Sequence, residues 1–213
     1  MTFNRFLTEA VIEPASLPLT PEIRLNLLSH AYLQHPLTAE ERQLFMAEPL
    51  FWAFCWSSGQ VLARRLRDFR EGIRGLKVLD FGSGSGIVAI AAALYGAGKV
   101  IALDTDPLAR EAIRANADLN QVTIGTAPDL HSLKGDFDLV LAADVLYERN
   151  NFALLDIFTK LAPRVLVADS RINELPAPYG KIGAGTAPTF PDLAEPEEFH
   201  SACIFANDKS CLY

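Results

Sequence analysis

Past residue 75 the chain alternates short apolar runs with longer striped or alanine-rich stretches. Val78, Leu79 and Phe81 form a near-continuous apolar run that predicts a short buried strand. Ile87 to Tyr95 is apolar and alanine-rich with no breaker, which predicts a helix. Lys99 to Ala102 predicts a second strand, ending at Asp104. Asp106-Pro107 then predicts the cap of a helix striped by Leu108, Ala112, Ala115 and Leu119. Val122 to Ile124 predicts a third strand and Asp138 to Ala142 a fourth. A helix starts at Asn150 or Asn151, runs through Leu154, Leu155, Phe158 and Leu161, and stops at Pro163. Arg164 to Ala168 predicts a fifth strand, reaching Asp169. Strands alternating with helices imply an α/β fold, a parallel sheet with helices on both faces. Prolines and glycines break up residues 176–191, and Phe199 to Phe205 predicts a further strand.

The first quarter of the chain is patterned differently. Residues 1–19, with Pro14 and Pro18, predict an extended lead-in. Thr20-Pro21 offers a helix cap, followed by Ile23, Leu25, Leu27 and Leu28. A second helix starts at Thr38, where Glu41 completes a capping box, and ends before Pro49. From Phe51 the chain leads into an amphipathic helix with Leu62, Leu66 and Phe69 on one face and Arg64, Arg65, Arg67 and Arg70 elsewhere. The expectation is one domain over 1–213, with 1–50 as an N-terminal helical extension.

Composition narrows the function classes. Half the residues are hydrophobic, enough for a sizeable core. A net charge of −7 argues against general nucleic-acid affinity and suits a cationic protein or amine substrate. The apolar stretch at 87–95 is too short to span a bilayer, and the N-terminus lacks the apolar run of a secretory signal. Cys55, Cys203 and Cys211 form no Cys-x-x-Cys pair, so reduced thiols and a cytoplasmic location are expected. The four histidines show no metal-ligand spacing, and no metal is expected.

The chemistry concentrates at Asp80-x-Gly82-x-Gly84-x-Gly86, between the first of these strands and its helix. A strand, a tight glycine turn and a helix let backbone approach a ligand closely. The dinucleotide fingerprint would need glycine at 87, where the chain has Ile87, which disfavours a nicotinamide oxidoreductase. A phosphate loop ending in Gly-Lys-Ser/Thr and a Gly-x-Ser-x-Gly nucleophile turn are also missing. What remains is the glycine turn plus an acid, Asp104, ending the next strand, where a carboxylate can grip a ribose's two hydroxyls. The arrangement resembles the S-adenosylmethionine site of the Rossmann-like, seven-stranded methyltransferases.

Further stretches sharpen the resemblance. Thr20-Pro21-Glu22-Ile23, Phe51-Trp52-Ala53 to Trp56, Gly59-Gln60-Val61-Leu62-Ala63-Arg64, Asp104-Thr105-Asp106-Pro107 and Asp144-Val145-Leu146-Tyr147-Glu148 follow in order. Together they resemble the seven-stranded protein-lysine methyltransferases, and most the electron-transfer-flavoprotein β-subunit lysine methyltransferase family, over residues 20–171. The resemblance implies a mostly parallel seven-stranded sheet and S-adenosylmethionine as cofactor. It places Asp80, Gly82 and Gly84 around the cofactor's amino-acid end and Asp104 at the ribose, with Ser83, Gly86 and Thr105 also among the cofactor-binding residues. Trp56 would line the methionine side, Asp129 the adenine edge and Ala143 the sulfonium. Asp144 and Tyr147 would orient the target amine, a lysine on a protein such as the electron transfer flavoprotein β-subunit. A carboxylate at the end of an apolar strand needs a partner, which makes Asp144 the residue of most chemical interest. Two places depart from the family pattern: Trp-Pro-Gly-Gly is here Trp56-Ser57-Ser58-Gly59, and Asp-Pro-Gly-Arg is here Asp169-Ser170-Arg171, one residue shorter. The alternatives are a small-molecule N-methyltransferase of nicotinamide or amine type, and a non-catalytic interaction protein built on the cofactor fold.

Overall fold

The computed structural model describes residues 11–34, 38–47, 49–146 and 149–208. It begins with an antiparallel hairpin of β1 (Ile12–Ser16) and β2 (Arg24–Leu28), Pro14 opposite Asn26. Two helices follow, α1 (His30–Leu33) and α2 (Ala39–Ala47), then a 3-10 turn at Phe51–Ala53 and α3 (Ser57–Asp68). The alternating part runs β3 (Lys77–Phe81), α4 (Ile87–Leu94), β4 (Lys99–Leu103), α5 (Pro107–Leu119), β5 (Gly125–Ala127), β6 (Leu139–Ala143), α6 (Ala153–Leu161) and β7 (Arg164–Asp169). It ends in β8 (Gly180–Thr186) and β9 (Ser201–Ala206).

The last seven strands form one sheet in the order β5-β4-β3-β6-β7-β9-β8. The five from β3 to β7 run parallel, and β9 inserts antiparallel between β7 and β8. This is the mostly parallel Rossmann-like sheet expected. Successive strand residues point to opposite faces, and the sequence supplies apolar side chains for both. Val78, Leu141 and Leu166 pack with α3 and α4, whereas Leu79, Val140 and Val165 pack with Leu155 and Phe158 of α6. The α5 cap forms as expected, with the Asp106 side chain accepting from the Leu108 N–H at 2.8 Å and Pro107 in the first turn.

The strand order reverses at β3, which has β4 on one side and β6 on the other. Loops leaving β3 and β6 therefore diverge to opposite faces, and the crevice beyond their carboxyl ends is where such sheets bind ligands.

Three expectations need correction. The helix expected from Thr20-Pro21 through Leu28 is the second half of the hairpin, so among the described residues the extension before residue 50 is helical only from His30 onward. Thr20-Pro21 makes a turn, closed by the Ile23 N–H on the Thr20 carbonyl at 2.9 Å. Leu25 and Leu27 then alternate with exposed Arg24 and half-buried Asn26, a period of two that the leucines alone disguise. The free edge of β2 is satisfied by α5 and its C-cap residue: the Arg24 N–H donates to Asn120 Oδ1 and the Asn26 N–H to Asn116 Oδ1, at 2.9 and 2.7 Å. Fully buried Asn116 also donates through Nδ2 to the Ser85 carbonyl at 2.8 Å, so one amide touches both the hairpin and the glycine turn.

The third strand is Gly125–Ala127 rather than Val122 to Ile124, because Val122 still closes the end of α5, its N–H on the Ala117 carbonyl. Finally, the segment broken by glycine and proline contains β8.

Candidate functional site at the strand ends

The glycine turn is stitched down by its own backbone. The N–H groups of Gly82 and Ser83 both donate to the Leu103 carbonyl, at 2.9 and 3.1 Å, locking the end of β3 onto the end of β4. Asp80 faces inward, 1% exposed, and its Oδ2 accepts from Ser83 Oγ and from the Ala89 N–H. Burial pushes its carboxyl up to about 7 against those two hydrogen bonds, and the Asp104 charge adds to the rise. In this arrangement Asp80 ties the turn to α4.

Gly82 and Gly84 both lie in the left-handed region, at φ +67° and +53°. A Cβ at Gly82 would stand 2.7 Å from Val145 Cγ1, so the turn touches the residue that follows Asp144. At Gly84 a Cβ would meet nothing within 4 Å. Gly84 therefore presents bare backbone to open space.

Asp104 closes over that backbone. Its Oδ2 accepts from the Gly84 N–H at 2.8 Å and its Oδ1 from the Asp106 N–H at 3.0 Å. Burial raises its pKa, while those two N–H groups pull the other way. Arg110 donates to the carbonyls of Asp104 and of exposed Thr105, at 2.7 and 2.9 Å, bracing the end of β4. Open backbone beside a half-buried carboxylate suits a ligand with adjacent hydroxyls, so these residues fit the ribose of S-adenosylmethionine.

The remaining expected residues are spread along the same edge. Exposed Asp129 lies past β5 and caps a 3-10 turn, Oδ1 accepting from the Ser132 N–H at 2.8 Å. Trp56 caps the start of α3; its Nε1 donates to the Phe51 carbonyl at 2.9 Å, and its ring packs near Phe51 and Phe54. Gly86 begins α4 and Ala143 ends β6. Tyr147 lies outside the described residues.

Asp144 directly follows β6, the strand paired with β3, at φ +53°, a conformation uncommon for a non-glycine residue. Its N–H donates to the Ala168 carbonyl at 3.0 Å. Its Oδ1 accepts from Ser58 Oγ, the Ser170 N–H and Ser170 Oγ, at 2.7, 3.0 and 2.8 Å. Beside it, Asp169 accepts from the N–H groups of Arg171 and Ile172; burial raises its pKa and the Asp144 charge adds to that. Burial, and then Asp144, push the Cys55 thiol well above its usual range, so it stays a thiol rather than a nucleophile. Ser58 and Ser170 were not among the expected site residues. Their only signal in the sequence was that each falls where the family pattern is broken.

The arginines of α3 and its exit are engaged within the fold. Arg64 pairs with Asp68, Arg67 with Glu22 and Asp68, Arg74 with Glu71, and Arg65 lies over the Phe69 ring.

Comparison with known proteins adds to this geometry. The family described as ribosomal protein L11 methyltransferase matches residues 64–164. The electron transfer flavoprotein beta subunit lysine methyltransferase of Rattus norvegicus is 36% identical over 177 residues, covering 79% of this chain and 68% of that protein. Its Homo sapiens counterpart is 36% identical over 172 residues, covering 77% and 64%. The chain thus spans 64–68% of the length of these two relatives. Among solved structures, the ribosomal protein L11 methylase of Lactobacillus delbrueckii subsp. bulgaricus superposes with a TM-score of 0.52 at 23% identity, covering 70% of this chain and 77% of the other. The Pyrococcus abyssi tRNA (uracil-54, C5)-methyltransferase in complex with S-adenosyl-L-homocysteine gives 0.51 at 17% identity, covering 92% and 44%. These two structures share the fold.

Proposed function

Because the chain belongs to the electron transfer flavoprotein β-subunit lysine methyltransferase family, within the seven-stranded S-adenosylmethionine-dependent methyltransferases, we propose that it methylates a lysine amine on a protein, the flavoprotein β-subunit being the first candidate. The observation that carries this reading is that the hydrogen-bonded Gly84–Asp104 pair and the serine-held Asp144 carboxylate stand at the ends of neighbouring strands around the reversal of strand order. In this reading Gly84 and Asp104 make the donor side, and Asp144 makes the acceptor side.

Within that reading each residue has a defined task. Gly84 leaves room for the donor, Asp104 holds its ribose, and Thr105, Asp129, Trp56 and Ala143 border it. Asp80 and Ser83 hold the turn in shape. Asp144 accepts an N–H of the incoming amine and aims its lone pair, and Tyr147, outside the described residues, is assigned to the same task. When bound, S-adenosylmethionine would supply a methyl carbon activated by its sulfonium, the electrons of the broken C–S bond returning to sulfur. The protein's contribution is therefore positioning and exclusion of water around a neutral amine. Cys55 and Cys203 are both free and buried, which agrees with a reducing, cytoplasmic setting as part of the proposal. Among the described residues no helix is long and apolar enough to cross a membrane.

The test is incubation of the purified protein with methyl-tritiated S-adenosylmethionine and electron transfer flavoprotein, followed by mass spectrometry of the β-subunit. Methylated lysine is the expected product. Transfer only to free amines such as nicotinamide would replace this reading with the small-molecule one.

A further inference from the structure

The hydrogen bonds on Asp144 are lopsided. Its Oδ1 takes all three donors, Ser58 Oγ, Ser170 Oγ and the Ser170 N–H, while its Oδ2 takes none among the described residues. The donors come from two different elements. Ser58 lies in the first turn of α3 with no exposed surface, and half-buried Ser170 directly follows β7. Rotation of a carboxylate about its last torsion is normally broad and two-fold, so its oxygens exchange readily. Three donors converging on one oxygen from two sides remove that freedom.

We propose that Ser58 and Ser170 are positioning residues for the acceptor: they pin Asp144 so that Oδ2 alone meets the incoming amine. The inference rests on the methyl-transfer reading above and specifies how it is achieved. A nitrogen nucleophile must direct its lone pair along the line of the breaking bond, so its N–H groups must be gripped at fixed points. One fixed acceptor oxygen sets that direction; two interchangeable ones leave the nitrogen free to swing. The hydroxyls matter because each donates one hydrogen bond and can aim it at Oδ1, whereas alanine offers nothing there. A purely structural role for the serines, satisfying a half-buried carboxylate, would change stability without changing how the site treats an amine.

Two ligands separate these roles without any protein acceptor. S-adenosylhomocysteine lacks the methyl, and sinefungin carries an amino group in its place. Both are titrated calorimetrically into the wild type, Ser58→Ala, Ser170→Ala, the double variant and Ser170→Thr, with a thermal melt of each. The wild type should prefer sinefungin by about tenfold or more, about 1.4 kcal/mol. The double variant should lose most of that preference while its affinity for S-adenosylhomocysteine stays within about twofold. Ser170→Thr, which keeps the hydroxyl, should retain the preference. If the double variant does not fold, Ser170→Ala alone should show a smaller loss of the same kind. A preference that survives removal of the hydroxyls overturns the inference, as does a wild type that binds the two ligands equally. A wild type that binds neither ligand overturns the methyl-donor reading itself, and this inference with it.

Discussion

The carboxylate of Asp104 reaches back 20 residues to accept the Gly84 N–H at 2.8 Å, so the acid that ends β4 also shapes the glycine turn after β3. Removing it should harm donor binding twice over, through loss of the proposed ribose contact and through a looser turn. Asp104→Ala is expected to weaken S-adenosylhomocysteine binding by roughly 1.5–3 kcal/mol, the scale of a hydrogen bond to a charged group. Calorimetric titration of wild type and variant decides the point, and equal dissociation constants would take Asp104 out of the site.

Asp144 should behave in the opposite way. Asp144→Asn keeps the shape but exchanges an acceptor for a donor, so methyl transfer should nearly vanish. Donor affinity should stay within about tenfold, or 1.4 kcal/mol. A variant that turns over at the wild-type rate would end the catalytic assignment.

Asp80 makes stability depend on pH. Its carboxyl is raised from 3.8 to about 7 in the fold, so the native state holds the extra proton between those values. Stability is then greatest at the acid end of that window and falls as pH rises towards 7, by up to roughly 1.4 kcal/mol per unit. Asp80→Asn, which cannot ionise, should lack this slope. Urea unfolding of both proteins across the window gives the difference. A flat difference would mean that Asp80 is charged throughout.

Gly82→Ala should destabilise for two separable reasons. A left-handed backbone costs a residue with a Cβ roughly 1–2 kcal/mol, and that Cβ would stand 2.7 Å from Val145 Cγ1. Adding Val145→Ala should relieve only the clash. Melting temperatures of the two single variants and the pair report the split. Full additivity would show that the two residues do not press on each other.

The sequence showed most of the sheet and little of the clamp. β3, β4, β6 and β7 were legible because each is an apolar run bounded by a cap, a glycine or a proline, and parallel strands buried on both faces need little else. β8 was hidden by its glycines. At Gly185 a Cβ would stand 2.9 Å from Val61 of α3, so packing removes the side chains by which a strand is recognised. Asp104 was legible because its place depends on local spacing after a strand. Ser58 and Ser170 were not, since they stand 86 residues before and 26 after Asp144 and meet it only once α3 and β7 have packed. In the sequence both are merely breaks in a family pattern, yet they converge on one oxygen.

Asn116 has a consequence for where this chain can be divided. Its Oδ1 is held by Asn26 of the hairpin and its Nδ2 holds the carbonyl of Ser85 in the glycine turn. Cut the chain near residue 50, and the buried Asn116 amide oxygen loses both its donors while its nitrogen still grips the glycine turn. The β1–β2 hairpin is therefore a brace: a chain trimmed of it would hold the glycine turn less firmly, with every residue of that turn still in place.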